Sequence, residues 1–213
     1  AFYQDAYGMA PRCAVYYVGG QDVTNSHFRN LDPGYADYHT PALVDMLEAR
    51  HSDRAPVAMS PILRLLQRGA TALFDTVRPA ANPRGTPGAE PDPALEEIFA
   101  RNVRTISAIN RERGVRTIWI GELFNEAPPP SDVGPHAKWT PFIELKDLHR
   151  LLAHLRSVLK REAAALGDVY VDVDKSKLDS SHFVDAEHFS AKGAQVFATM
   201  IAPAIADSCG SSL

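Results

Sequence analysis

Three short runs dense in β-branched and aromatic residues, each followed by glycine or a polar loop, constrain this chain more than any other feature. They are residues 14–18 (AVYYV, then Gly19 and Gly20), 117–120 (TIWI, then Gly121) and 169–173 (VYVDV, then Asp174). Near-continuous apolar runs of this length read as strands buried on both faces, as in a parallel sheet. Between and after them lie helical patterns. Residues 93–113 carry Leu95, Ile98, Phe99, Val103, Ile106 and Ile109 at helical spacing, open with Asp92 before Pro93 and close at Gly114. Residues 145–166 repeat the pattern with Leu148, Leu151, Leu152, Leu155 and Leu159 and close at Gly167, and an apolar helix is expected over 194–205.

Strand, helix and strand alternating at these lengths imply right-handed crossovers and a parallel sheet covered on both faces. The expected fold class is therefore α/β, a three-layer α/β/α sandwich around a central parallel sheet. The chain has 213 residues, 45% of them hydrophobic and 23% charged, which fits one domain with one sizeable core. The region that departs from the pattern is a cap with helical pieces at 41–50 and 61–77, followed by the Pro- and Gly-rich run RPAANPRGTPGAEPDP. We read it as an insertion into the single domain 1–213, at about 25–93. A second loop, APPPSDVGP at 127–135, follows the second strand at the same edge of the sheet. Three strands are few for an α/β chain of this length. One or two more are expected, most naturally in a segment before Ala1, and the absence of Met at that position agrees with a preceding segment.

Charge and composition narrow the partners. With 22 Lys and Arg against 26 Asp and Glu, the net charge is -4, and no basic excess draws the chain to nucleic acid. No apolar stretch approaches the roughly 20 residues that span a bilayer, and no signal-peptide pattern opens the chain. Cys13 and Cys209 are too few for a disulfide framework. One bridge between them is undecided by sequence, and so is the compartment, with export or the periplasm favoured.

Chemistry concentrates at two places. Asp185-Ala186-Glu187-His188-Phe189-Ser190-Ala191-Lys192-Gly193 sets a carboxylate three residues before a histidine on a tight turn leading into a helix. Its oxygen can accept the Nδ1 proton and leave Nε2 outward as a base. The plainer alternative is that Asp185 only caps the helix and His188 is a surface residue. The first strand ends in Gly19-Gly20-Gln21-Asp22-Val23, which places an amide and a carboxylate at the carboxyl edge, where open α/β sheets bind ligands. A side-chain amide there can donate to a developing oxyanion. Alone, the same string is an ordinary strand-ending turn.

Taken together and in this order, YVGGQD and DAEHFSAKG resemble the third and fifth blocks of the SGNH (GDSL-like) hydrolase family. Those blocks read G-x-N-D at a strand end, and D-x-x-H with a downstream glycine before the last helix. The intervening helix, the strand TIWIGELFN, the next helix and VYVDV are similar too, so the resemblance covers the chain apart from the insertion. It implies a flavodoxin-like sandwich and hydrolysis of an acyl or acetyl ester, on carbohydrate or lipid, with no cofactor and no metal. It implies His188 as general base, Asp185 as its orienting carboxylate, Gln21 in the place of the oxyanion-hole Asn with Gly20 beside it and Asn25 as a spare amide, and Asp22 as a local structural acid. Gln for Asn is a departure, one methylene longer. The larger departure is that no Gly-Asp-Ser block with the nucleophile is visible. The serine is expected from a segment outside this chain; a rearranged order using Ala206-Asp207-Ser208, and a scaffold that has lost the chemistry and serves as a binding domain for an acylated or glycan ligand, are the alternatives.

Other residues carry weaker signals. His182, Asp185 and His188 form H-x-x-D-x-x-H, whose residue types suit a divalent metal, although one helix could not present all three on a face. His149 and His154 read as solvated positions on the leucine helix, and Trp119 as core. Trp139, Phe142 and Tyr38 lie in or near loops over the site, and Ser26 lies close to the GGQD turn without being read as a nucleophile.

Overall fold

The computed structural model describes residues 7–25, 90–126, 138–140 and 143–210. Strand β1 (Cys13–Val18) leads into a short helix, α1 (Gly20–Asn25). Helix α2 (Pro93–Glu112) precedes β2 (Arg116–Gly121), and a small antiparallel pair, β3 (Lys138–Thr140) and β4 (Ile143–Glu144), leads into α3 (Leu145–Leu166). The described chain ends with β5 (Val169–Val171), two 3-10 turns at Lys175–Lys177 and Ser180–His182, and α4 (Ala191–Gly210).

Among the described residues the main sheet is open, parallel and three-stranded in the order β1-β2-β5, an arrangement compatible with an α/β fold. Cys13 stands opposite Arg116 and Val18 opposite Gly121; on the far side Ile118 pairs Val169 and Ile120 pairs Val171. All three expected strands are present, within two residues of their expected ends. The GGQD segment forms a helix of 6 residues where a turn was expected. Too short to show a 3.6-residue period, it starts directly from Gly19, whose φ of +143° is a conformation that a residue with a Cβ rarely adopts.

The alternation of side chains along β2 sorts the packing. Trp119 points to one face, where it is fully buried with Leu95, Phe99 and Val103 of α2 and Leu152, Leu155 and Leu159 of α3. Its indole Nε1 donates to Asp168 Oδ2 at 2.9 Å, so the buried N–H is satisfied. Ile118 and Ile120 point to the other face and pack with Val171 against Phe197, Ile201 and Ile205 of α4. Helix α2 begins as its sequence suggests: the Asp92 carboxylate accepts from Ala94 N at 2.9 Å, and Pro93 follows at a position whose N–H needs no partner. It ends at Gly114 (φ +66°), as α3 ends at Gly167 (φ +71°).

Cys13 and Cys209 are joined, with a Cα–Cα distance of 5.7 Å across a sequence separation of 196. The bridge pins the start of β1 to the end of α4. Among the described residues no helix is long and apolar enough to cross a membrane. Most of the cap and loop expected at about 25–93 lies outside the described residues, as does the loop at 127–135.

Candidate active site at the carboxyl edge of the sheet

Strands β1 and β2 run parallel and in register, so Gly19 and Glu122 emerge side by side at the carboxyl edge. Glu122 N donates to Val18 O at 2.9 Å, extending the ladder one residue beyond Gly121. The Tyr17 hydroxyl accepts from Leu123 N at 2.8 Å, which fixes the chain leaving β2, and burial pushes that phenol up from its usual range. Two residues on, Asn125 N donates to Ala186 O at 3.0 Å, and its side-chain amide donates to Asp185 O at 3.4 Å. Asn125 is almost fully buried. It thereby ties the segment bearing Asp185 and His188 to the tip of β2, next to the turn that ends β1.

That segment is a compact turn built on one carboxylate. Asp185 Oδ1 accepts from both Glu187 N and His188 N at 2.8 Å, while Oδ2 lies 2.8 Å from His188 Nδ1. With Nδ1 as donor, Nε2 carries the lone pair. The His188 side chain is 65% exposed, so its outer nitrogen is open to a reactant. The Asp185 bond holds the imidazole above its ordinary value, with the charges of Glu187 and Glu122 acting in the same direction against partial burial. Burial pushes the Asp185 carboxyl up, but the two amides and the ring together hold it below the usual aspartate range. Phe189 anchors the far end of the turn by stacking on Phe183 and Phe197, with centroids 5.0 and 4.9 Å apart.

Of the other expected residues, Gly20, Gln21 and Asp22 fall at the same edge, with unequal roles. Gln21 is exposed on α1. The Gly20 amide is engaged by the Glu122 carboxylate, so it is not an open donor. Asn25 closes α1, and its side chain is outside the described set, as are Ser26, Tyr38, Phe142 and the side chain of Trp139. Asp22 is partly buried; burial first, and Glu122 second, push its carboxyl up to about 6. Ala206-Asp207-Ser208 lies inside α4 near the disulfide, away from the carboxyl edge.

His182 and His188 do not converge. His182 Nδ1 accepts from Asp179 N at 3.0 Å inside the preceding 3-10 turn, and the residue is buried. Among the described residues no three His, Cys, Asp or Glu side chains gather in a way that could hold a metal ion. The two helix histidines differ from the solvated reading. His154 Nε2 lies 2.8 Å from Glu96 of α2, and His149 packs edge-on to Phe124, where burial lowers its pKa.

Sequence reasoning missed Glu122 and Asn125. Both sit in IGELFN, immediately after a strand and at the edge where α/β sheets hold ligands, so their position was a signal even though their partners, 60 to 102 residues away, were not. No family model and no curated protein matches this sequence.

Proposed function

We propose that this chain belongs to an SGNH-type, three-layer α/β/α serine ester hydrolase acting on an acyl or acetyl ester. The observation that carries the reading is the Asp185–His188 pair: a carboxylate bonded to Nδ1 at 2.8 Å, with the ring exposed at the carboxyl edge beside the β1 turn. The nucleophilic hydroxyl comes from outside the described residues. His188 Nε2 takes the serine proton as Oγ adds to the ester carbonyl, and the resulting imidazolium is stabilised by Asp185. When the tetrahedral intermediate collapses, the same proton passes to the leaving alkoxide, leaving an acyl-serine. Water then repeats the sequence, with His188 again as base, and releases the acid. The Gln21 side-chain amide donates to the oxyanion. Alternating strands and helices with helices on both faces of a parallel sheet support the fold assignment.

The test is turnover of p-nitrophenyl acetate by the full-length protein and by His188→Ala. A loss of about a thousandfold or more is expected, since removing a triad member leaves only the binding and oxyanion contributions. Equal rates in the two proteins would overturn the hydrolase reading in favour of a domain that binds an acylated or glycan ligand at the same edge of the sheet.

A further inference from the structure

Glu122 follows the last residue of β2 on a backbone that is held firmly. Its N–H is bonded to Val18 O, and its carbonyl accepts from Arg156 Nη1, also at 2.9 Å. The Arg156 stem lies so tightly across Gly121 that a Cβ there would come within 2.3 Å of Arg156 Cγ. The side chain of Glu122 therefore leaves a fixed point and crosses to the neighbouring strand, where Oε2 accepts the Gly20 N–H. A Cβ on Gly20 would lie 2.7 Å from Oε2 and 2.9 Å from Oε1, so the carboxylate lies directly over that residue.

The Gly19–Gly20 turn has no side chains of its own to brace it, and its first residue sits at φ +143°. What braces it is supplied by β2. The next residue in the chain is Gln21, whose amide must stand within about 3 Å of a developing oxyanion to be useful. The placement is costly: Glu122 is half-buried and near Asp22, and burial raises its pKa against the opposing pull of the Gly20 amide and His188.

The geometry points to Glu122 as a positioning residue that clamps the Gly20 amide, fixes where Gln21 is presented, and withdraws the Gly20 N–H from the donors open to substrate. This inference rests on the ester-hydrolase reading above for its functional half, while the clamp itself is a property of the fold. Because the interaction joins two backbone segments 102 residues apart, loosening it should misplace the donor without abolishing the base.

The experiment uses the full-length protein with Glu122→Ala, Glu122→Gln, Gly20→Ala and the Glu122→Ala/Gly20→Ala double variant. On p-nitrophenyl acetate, Glu122→Ala should lower kcat by about tenfold to a hundredfold, as a displaced catalytic group does, with KM changed by less than about threefold. Glu122→Gln keeps an oxygen acceptor over the amide and should stay within about threefold of the native kcat. Gly20→Ala, whose methyl group displaces the carboxylate, should resemble Glu122→Ala, and the double variant should lose no more than either single one. Hydrogen exchange of the amide at residue 20 supplies a readout independent of turnover: faster in Glu122→Ala and Gly20→Ala, unchanged in Glu122→Gln. Native exchange in Glu122→Ala, a kcat loss in the double variant equal to the product of the singles, or an effect on KM alone would each overturn the inference. If the native protein hydrolyses no ester, the hydrolase reading falls, and amide exchange by itself decides whether the clamp exists.

Discussion

Two Asp-x-x-His turns lie within ten residues of each other, and they have almost the same internal geometry. In the first, His182 Nδ1 is 2.9 Å from Asp179 Oδ1; in the second, His188 Nδ1 is 2.8 Å from Asp185 Oδ2. Their surroundings are reversed. The His182 side chain is 8% exposed and its acid 69%, whereas the His188 side chain is 65% exposed and its acid 42%. His182 has its ring folded into a capping box, and its carbonyl accepts from Ser190 N at 2.9 Å, where α4 begins. His188 has its ring turned outward at the carboxyl edge. The same Asp-x-x-His pattern thus serves as a fastener in one case and presents an exposed ring nitrogen in the other. In the second turn the Asp185 carboxylate holds Nδ1, whereas in the first Nδ1 accepts the Asp179 backbone N–H, and the outer nitrogen is exposed only in the second.

The comparison can be broken most decisively at the acids. Asp185→Asn keeps an oxygen for the Glu187 and His188 amides but loses the acceptor for Nδ1–H, so the turn survives while the imidazole tautomer does not. A loss of about a thousandfold or more in kcat is expected, with little change in melting temperature. The pH profile should move as well. Asp185 raises the His188 pKa, and the base form predominates only above it, so native activity is expected to climb with pH through that raised value. In the variant the climb, and the ring's NMR titration, should shift to lower pH. A shift upward would remove Asp185 from its role.

A second break targets the fastener. A Cβ at Gly193 would stand 1.8 Å from the His182 carbonyl oxygen, a clash with backbone rather than with a movable side chain. Gly193→Ala should therefore destabilise the fold by about 3 kcal/mol in urea titration, because the helix start and the turn must separate. Folded molecules that retain native kcat would show that the two turns are independent; a parallel fall in kcat would show that the fastener also places His188.

The partly buried acid of α1, Asp22, offers a smaller, opposite effect. Asp22 has a folded pKa of about 6 against 3.8 unfolded, so the native state binds its proton more tightly. That contribution is fully present below pH 3.8 and is lost as the pH rises through about 6. At pH 7 the ionised carboxylate is a burden. Asp22→Asn should stabilise the protein there by about 1–2 kcal/mol, the shift discounted for partial exposure, and flatten stability between about pH 4 and 6. Smallest of all should be Asp179→Asn: the acid is solvent-exposed and held at about 2, chiefly by Ser181, and because Asn caps nearly as well, melting temperature and turnover should both stay close to native.

How much of this could be read beforehand follows the range of each interaction. The leucine and isoleucine spacing of α2 and α3, and the β-branched runs of β1, β2 and β5, are local signals, and both helices and all three strands appear where those signals put them. The Asp185–His188 bond was equally legible, because both partners sit on one turn. Asp179–His182 carried the same spacing but was not singled out, and nothing in a tetrapeptide reports burial. Helix α4 runs Ala191–Gly210, past the expected 194–205, because its cap comes from Ser190 and the preceding turn, whereas its apolar residues face the sheet in only part of that length. The Glu122–Gly20 clamp, the Asn125 tether and the Cys13–Cys209 bridge all depend on which strands become neighbours, and topology is what a linear pattern carries least.

The bridge between β1 and α4 has a mechanical side. It closes residues 13–209 into a covalent ring, so tension applied beyond its two sulfurs is carried by the S–S bond, and the strands and helices inside the ring bear none of it. Stretching such a molecule would extend only what lies outside the ring, until a reductant opens it and the sheet first feels the load.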